Sequence, residues 1–173
     1  TSNANHLIRI DGNTTDWHQS TTQIYSSSSR SGSTTLDITW DDAYIYFLVS
    51  EGFTASNEDR ILFGFDTNPG SDGNSNGTTS QFNGASFPDD YRPDIIYRAR
   101  GNGTASWVHD KGESDGADGW TFSGNIGDSD ILAESGSDTG NLEIRVKKSA
   151  IGSFSNIGIF AWFGNSSDKM YDS

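Results

Sequence analysis

Three sets of residues in this 173-residue chain have the types and spacing to do chemistry. The first is Asp72-Gly73-Asn74-Ser75-Asn76-Gly77, which matches the Asp-x-Asn-x-Asn-Gly opening of a calcium loop. Calcium takes about six to eight oxygen ligands, and alternate side chains of such a turn converge on one ion while the glycine supplies the sharp bend. Asp72, Asn74 and Asn76 are the candidate ligands, with Asp66 at the preceding strand end and Asp89 and Asp90 at the far side as supplements. Asn83 stands at the twelfth position, where an acid usually closes the loop, so the segment is not an EF-hand. The alternative is a polar turn that binds no metal.

The second set is aromatic. A sugar ring has an apolar C–H face on which Trp and Tyr stack, while Asp, Asn, Gln and Arg take its hydroxyls. Trp17 and Trp40 lie beside apolar neighbours near strand ends and read as core. Trp107, Trp120 and Trp162 are the candidate platforms: Trp107 follows a Gly-rich turn, Trp120 shares a face with Phe122, and Trp162 shares one with Phe160. Each also has a core reading. The third set is Tyr91-Arg92 with Arg98 and Arg100. The last two lie on one strand face, two residues apart, and a guanidinium pair there suits hydroxyls or a carboxylate. The alternative is cross-strand pairing with the abundant acids.

Catalytic templates are scarce. His6, His18 and His109 are scattered and form no metal-spaced pair. There is no Gly-x-Ser-x-Gly elbow, no phosphate loop and no cysteine. Glycoside hydrolysis needs two carboxylates at a set separation, and a chain with 24 acids always offers some pair. His109 with Tyr91 and Arg98 is the other cluster on which a glycan-active enzyme could be built. A net charge of −13 argues against nucleic acid and anionic membrane as partners, and against a strongly anionic polysaccharide unless arginines or a metal offset the field locally.

These residues must be positioned by strands, because no segment carries a helical period. Strands are expected over 6–10, 34–40, 43–51, 60–66, 93–100, 104–110, 119–124, 141–148 and 156–164. In 43–51, Tyr44, Tyr46 and Leu48 alternate with Ile45, Phe47 and Val49, so both faces are apolar, as in a central strand covered on both sides. In 141–148, Leu142, Ile144 and Val146 point inward and Glu143, Arg145 and Lys147 outward. Asp110, Glu113, Asp115 and Asp118 read as a solvated acidic turn. Roughly nine short strands with Gly-rich turns predict a single all-β domain over 1–173, an antiparallel, jelly-roll-like β-sandwich. The long irregular stretch from Thr67 to Arg92 calls for a functional or ion-binding reason.

Ile10-Asp11-Gly12 with Asp16-Trp17, then Trp40-Asp41-Asp42-Ala43-Tyr44-Ile45-Tyr46, then Arg60 to Asp66 before a polar loop, then Leu142-Glu143-Ile144-Arg145-Val146 with the turn Lys148 to Ile151, follow one another in an order that resembles the family 9-like carbohydrate-binding modules over nearly the whole chain. The resemblance implies a β-sandwich that binds polysaccharide or oligosaccharide without cleaving it and is covalently linked to a catalytic domain. In well-known members two tryptophans clamp a sugar unit. Trp162 is the better positional match for one of them, with Trp107 or Trp120 for the other. The expectation is therefore a secreted, monomeric bacterial module cut from a longer protein, with calcium as a possible structural ion. The rival is a calcium-stabilised structural or adhesive domain of a surface protein, which would bury Trp107, Trp120 and Trp162.

Overall fold

The computed structural model describes residues 8–17, 22–30, 32–50, 60–69, 76–77, 85–86, 92–103, 106–114, 120–124, 126–135, 141–164 and 170–172. Most of them are strand, arranged in two antiparallel sheets with almost no helix, the make-up of an all-β sandwich. The chain divides into two compact units. One comprises Thr1–Glu58, Gly101–Trp107 and Gly127–Ala150; the other comprises Asp59–Arg100, Val108–Ile126 and Ile151–Ser173.

The first unit holds a five-stranded sheet. Its order is β1 (Thr22–Arg30), β2 (Gly32–Trp40), β3 (Tyr44–Ser50), β11 (Leu142–Lys147) and β10 (Ile131–Ser135). Antiparallel register sets Ile38 against Phe47, Phe47 against Ile144, and Ile144 against Ala133. One face of the sheet is thus a continuous apolar layer, with Leu36, Phe47, Val49, Leu142, Ile144, Val146 and Ile131 all but sealed from water. The β2–β3 hairpin closes on Asp41. Its Oδ1 accepts the Ala43 and Tyr44 N–H groups, each at 2.7 Å, and its Oδ2 accepts the Tyr46 hydroxyl at 2.7 Å. The Lys148 ammonium donates to the Asp41 carbonyl. Burial opposes ionisation of Asp41, but these hydrogen bonds and the Lys148 charge outweigh it and hold the carboxyl below its ordinary value.

The opposite face of β3 carries Tyr46 and Leu48, which the alternation requires to be covered. Ile8 and Trp17 cover them, with Ile10 and Tyr44 packed alongside. The segment from Ile8 to the 3-10 turn Thr14–Trp17 is pinned there by Glu143. Glu143 Oε1 accepts the Trp17 indole N–H at 2.6 Å, and Oε2 accepts the backbone N–H groups of Gly12 at 2.6 Å and Asp11 at 3.1 Å. Gly12 reaches this position with φ of 78°, a conformation glycine adopts without steric cost. Glu143 therefore does not point to solvent as its alternation with Arg145 and Lys147 suggested; it is 0% exposed. The expected strand at 6–10 is irregular over Ile8–Ile10, because this segment serves as a lid rather than a ladder member.

The second sheet, whose residues other than Gly101 and Trp107 belong to the second unit, has the order β13 (Met170–Asp172), β12 (Gly158–Gly164), β4 (Arg60–Asp66), β7 (Ile95–Gly101), β8 (Trp107–Ser114) and β9 (Trp120–Ser123). Ile61, Phe63, Phe65, Tyr97, Ala99 and Phe163 form its main apolar layer. A two-stranded ribbon, β5 (Asn76–Gly77) with β6 (Ala85–Ser86), lies within the long 67–92 stretch. A four-residue helix, α1 (Lys148–Ile151), follows β11. Strands β1, β10 and β13 and the β5–β6 ribbon are additions to the expected set. Thr-Gln-Ile-Tyr-Ser-Ser-Ser-Ser-Arg has no sustained apolar period, and it is an edge strand with two register shifts, which blunt an edge. Trp40, expected in the core, is 45% exposed: it pairs with Ile45 in the last row of the hairpin ladder.

Glu143→Gln would turn one acceptor oxygen into a donor facing donors, so we expect a loss on the order of 2–4 kcal/mol in denaturant unfolding. Burial pushes the Glu143 carboxyl above its ordinary value, while the three donors pull the other way. The native state then holds this proton to higher pH than the unfolded chain. That contribution is complete below the unfolded value and lost as pH rises through the folded one. The stability gap between the wild type and Glu143→Gln is accordingly expected to be wider near about pH 4.5 than near about pH 7.5, and a gap that narrows toward acid would contradict this.

Candidate functional site

The face of the second sheet opposite its main apolar layer gathers four of the six carbohydrate-binding candidates, Trp120, Trp162, Arg98 and Arg100. Register places Trp162, Leu62 and Arg98 in one row across β12, β4 and β7. Phe160, Gly64 and Ile96 form the next row, and Arg60 faces Arg100 in the row on the other side. Leu62, Ile96 and Trp162 make a buried cluster against which half-buried Trp120 and Phe160 pack. Trp120 reaches it because β9 pairs with β8, with Trp120 opposite Ser114.

Gly64 is required by this packing. A Cβ built there would lie 3.1 Å from Pro93 Cβ and 3.4 Å from Trp162 Cζ3, so the indole and the proline ring share the space a side chain would fill. Pro93 is itself buried, and Trp162 is only 4% exposed. Trp162 is thus the floor of the cluster rather than a presented platform.

Beside the aromatic cluster sits a charge cluster. Arg98 donates from Nε at 2.9 Å and from Nη2 at 2.6 Å to Asp110 Oδ2, and Arg100 Nε donates to the same oxygen at 3.1 Å. The Arg98 and Asp110 side chains are 10% and 8% exposed, whereas that of Arg100 is 32% exposed. Asp110 is therefore not part of a solvated acidic turn; it lies in β8 and faces the sheet's arginines. The cross-strand reading of Arg98 and Arg100 holds, but with one carboxylate shared between two cations. Gly124 leaves room for that carboxylate, since a Cβ there would lie 3.3 Å from Asp110 Oδ1.

The remaining candidates are separated. Trp107 is half-buried at the start of β8, and strand alternation sends it and His109 to the face opposite Asp110. His109 is buried and thus stands on the other side of the sheet from Arg98. Tyr91 lies outside the described residues, as do Asp72 and Asn74; Asn76 is placed in β5 by its backbone. Asp66 is 1% exposed at the end of β4, and its Oδ1 accepts the Asn68 N–H at 3.1 Å. Asp94 Oδ2 accepts the Thr67 N–H at 2.8 Å and hydroxyl at 2.7 Å, which fixes the exit of β4 into the long segment. Among the described residues no three acidic or histidine side chains come together as a metal site. Sequence reasoning missed the roles of Asp110, Arg60, Gly64 and Phe160. The signal for Asp110 was available: it alternates with His109 and Lys111 in the strand beside Arg98.

Asp110→Ala should destabilise the protein by about 3–5 kcal/mol, because it removes the carboxylate that two guanidinium groups share, one of them buried. Arg100→Gln, at the more exposed partner, should cost under about 1 kcal/mol. Equal losses in urea unfolding would contradict this division. Gly64→Ala should cost about 1–3 kcal/mol and shift Trp emission, since Pro93 or Trp162 must move. Comparisons of the chain with protein-family models, with curated proteins and with solved structures find no match.

Proposed function

We propose that the protein is a non-catalytic carbohydrate-binding module that holds an attached polysaccharide-active enzyme on its glycan. The observation that carries this reading is the juxtaposition, on one sheet face, of the half-buried rings of Trp120 and Phe160 with the arginine pair on Asp110. Ring faces take the apolar side of a sugar, and a guanidinium takes its hydroxyls or a carboxylate in a fixed fork. The non-catalytic part rests on how the well-placed carboxylates are used. Asp41, Asp94, Asp110 and Glu143 each bind structural donors, which leaves them poor acids or bases for a substrate.

A second reading, a calcium-stabilised structural or adhesive domain, is favoured by one fact: Trp162 is buried beside Gly64 instead of exposed. Asp66 at the base of the long segment, with Asp72, Asn74 and Asn76 beyond it, would supply the calcium ligands in either reading.

Trp fluorescence of the domain titrated with a panel of soluble polysaccharides, with and without calcium, separates the two. A saturable shift that Trp120→Ala abolishes in a folded protein supports the module. No response to any glycan, with a large calcium-dependent rise in Tm, supports the structural domain instead.

A further inference from the structure

Among the described residues, Trp40 is the large hydrophobic side chain that stands exposed, at the end of β2. No group among them takes its indole N–H or stacks on its ring, whereas the Trp17 indole donates to Glu143. Its chain neighbours are small or polar: buried Thr39 on one side, and Asp41, Asp42 and Ala43 of the hairpin tip on the other. Asp42 and Ala43 are exposed, and the Asp42 carboxylate makes no hydrogen bond or ion pair among the described residues. A free acceptor thus lies two residues from an open ring that carries a free donor.

Size and charge restrict what covers this ring. The exposed part of Trp40 is on the order of 100 Å², against about 800 Å² that each partner buries in a stable protein interface. With no other large hydrophobic side chain exposed among the described residues, the patch is too small for a protein partner or a second copy. It suits the C–H face of one sugar ring. Asp41 and Asp42 outnumber Lys148, whose ammonium is bonded to the Asp41 carbonyl, in a chain of net charge −13. A sugar bearing a carboxylate or sulfate is repelled there.

The platform is also fixed in advance. The two Asp41 carboxylate oxygens take three donors within the hairpin, and the Asp41 N–H donates to the Tyr44 carbonyl at 3.1 Å. The Lys148 N–H donates to the Ala43 carbonyl at 2.9 Å, which ties the tip to the end of β11. A rigid tip loses little conformational freedom when a ligand stacks on it.

Resting on the carbohydrate-binding reading above, we propose that the β2–β3 hairpin carries a further sugar-binding site, separate from Trp120 and selective for a neutral glycan. The Trp40 ring takes the C–H face of one sugar unit, its indole N–H donates to a sugar oxygen, and the Asp42 carboxylate accepts from a sugar hydroxyl.

Titration of the isotope-labelled full chain with cellohexaose, xylohexaose, laminarihexaose, mannohexaose and hexagalacturonate, followed on the tryptophan indole N–H resonances, tests this. The Trp40 resonance is the one absent from Trp40→Phe. It is expected to move saturably with at least one neutral hexasaccharide and to move equally in Trp120→Ala. Asp42→Ala keeps the ring and should weaken that response by about three-fold or more, the size of one hydrogen bond. In the Trp120→Ala background, adding Trp40→Ala should lower calorimetric affinity by about ten-fold or more. Binding that moves the Trp120 resonance and leaves Trp40 unmoved overturns the hairpin site and leaves the carbohydrate-binding reading standing. So does an affinity that Trp40→Ala leaves unchanged. Hexagalacturonate acting on Trp40 as strongly as the neutral sugars overturns the proposal, as does a Trp40 shift that follows protein concentration without sugar, the mark of self-association. No response of any indole to any of the sugars overturns both readings.

Discussion

Each sheet of this protein has a central strand buried on both faces, and each secures its second face with a buried carboxylate that accepts three hydrogen bonds. In the first sheet the acid is Glu143, with donors from the Trp17 indole and the Asp11 and Gly12 backbone. In the second it is Asp110, with donors from Arg98 and Arg100. A strand with apolar side chains pointing both ways must find two covers, and in the first sheet the second cover is the short Ile8–Trp17 segment, which Glu143 holds. A charged acceptor among several donors supplies the missing direction, since it bonds at set angles and about twice as strongly as a neutral one.

The two carboxylates differ in what compensates them. Glu143 meets neutral N–H dipoles in a fully buried site, so its charge is solvated by hydrogen bonds without an ion partner, and burial pushes its carboxyl upward. It serves as a clasp for the Ile8–Trp17 segment. Asp110 meets two guanidinium groups, beside rings that are half-buried. The first arrangement ties a covering segment to its sheet; the second ties the neighbouring strands β7 and β8 to each other.

The burial of Trp162 defines how the carbohydrate-binding reading works. With Pro93 and Trp162 filling the notch at Gly64, the tryptophan in the middle of the face acts as a rigid base. The presented aromatic surface belongs to Trp120 and Phe160 at its margin. The N-terminal and hairpin residues that resemble the family 9-like modules have structural tasks here: Gly12 and Trp17 bind Glu143, and Asp41 caps the β2–β3 turn.

Much of the strand inventory was legible because side-chain alternation in a strand is a local property. Arg60 to Asp66 is a strand from end to end, the Trp40–Tyr44 hairpin closes at its Asp-Asp-Ala tip, and the two-sided apolar run at Tyr44–Ser50 is a central strand. The edge strand Thr22–Arg30 was not legible, since its serines carry no period and its pairing comes from β2. The same limit governs the candidate site. By itself the sequence determined which residues can alternate, turn, stack or pair, and it named Arg98, Arg100, Trp120 and Trp162 as chemically able. Only the tertiary structure decided that these four share a face, that Trp162 is covered and Trp40 is not, that Trp107 and His109 fall on the other side, and that Glu143 and Asp110 are interior. Those outcomes depend on strand order and on which segment covers which face, and both arise from contacts between residues far apart in the chain, which no local pattern encodes.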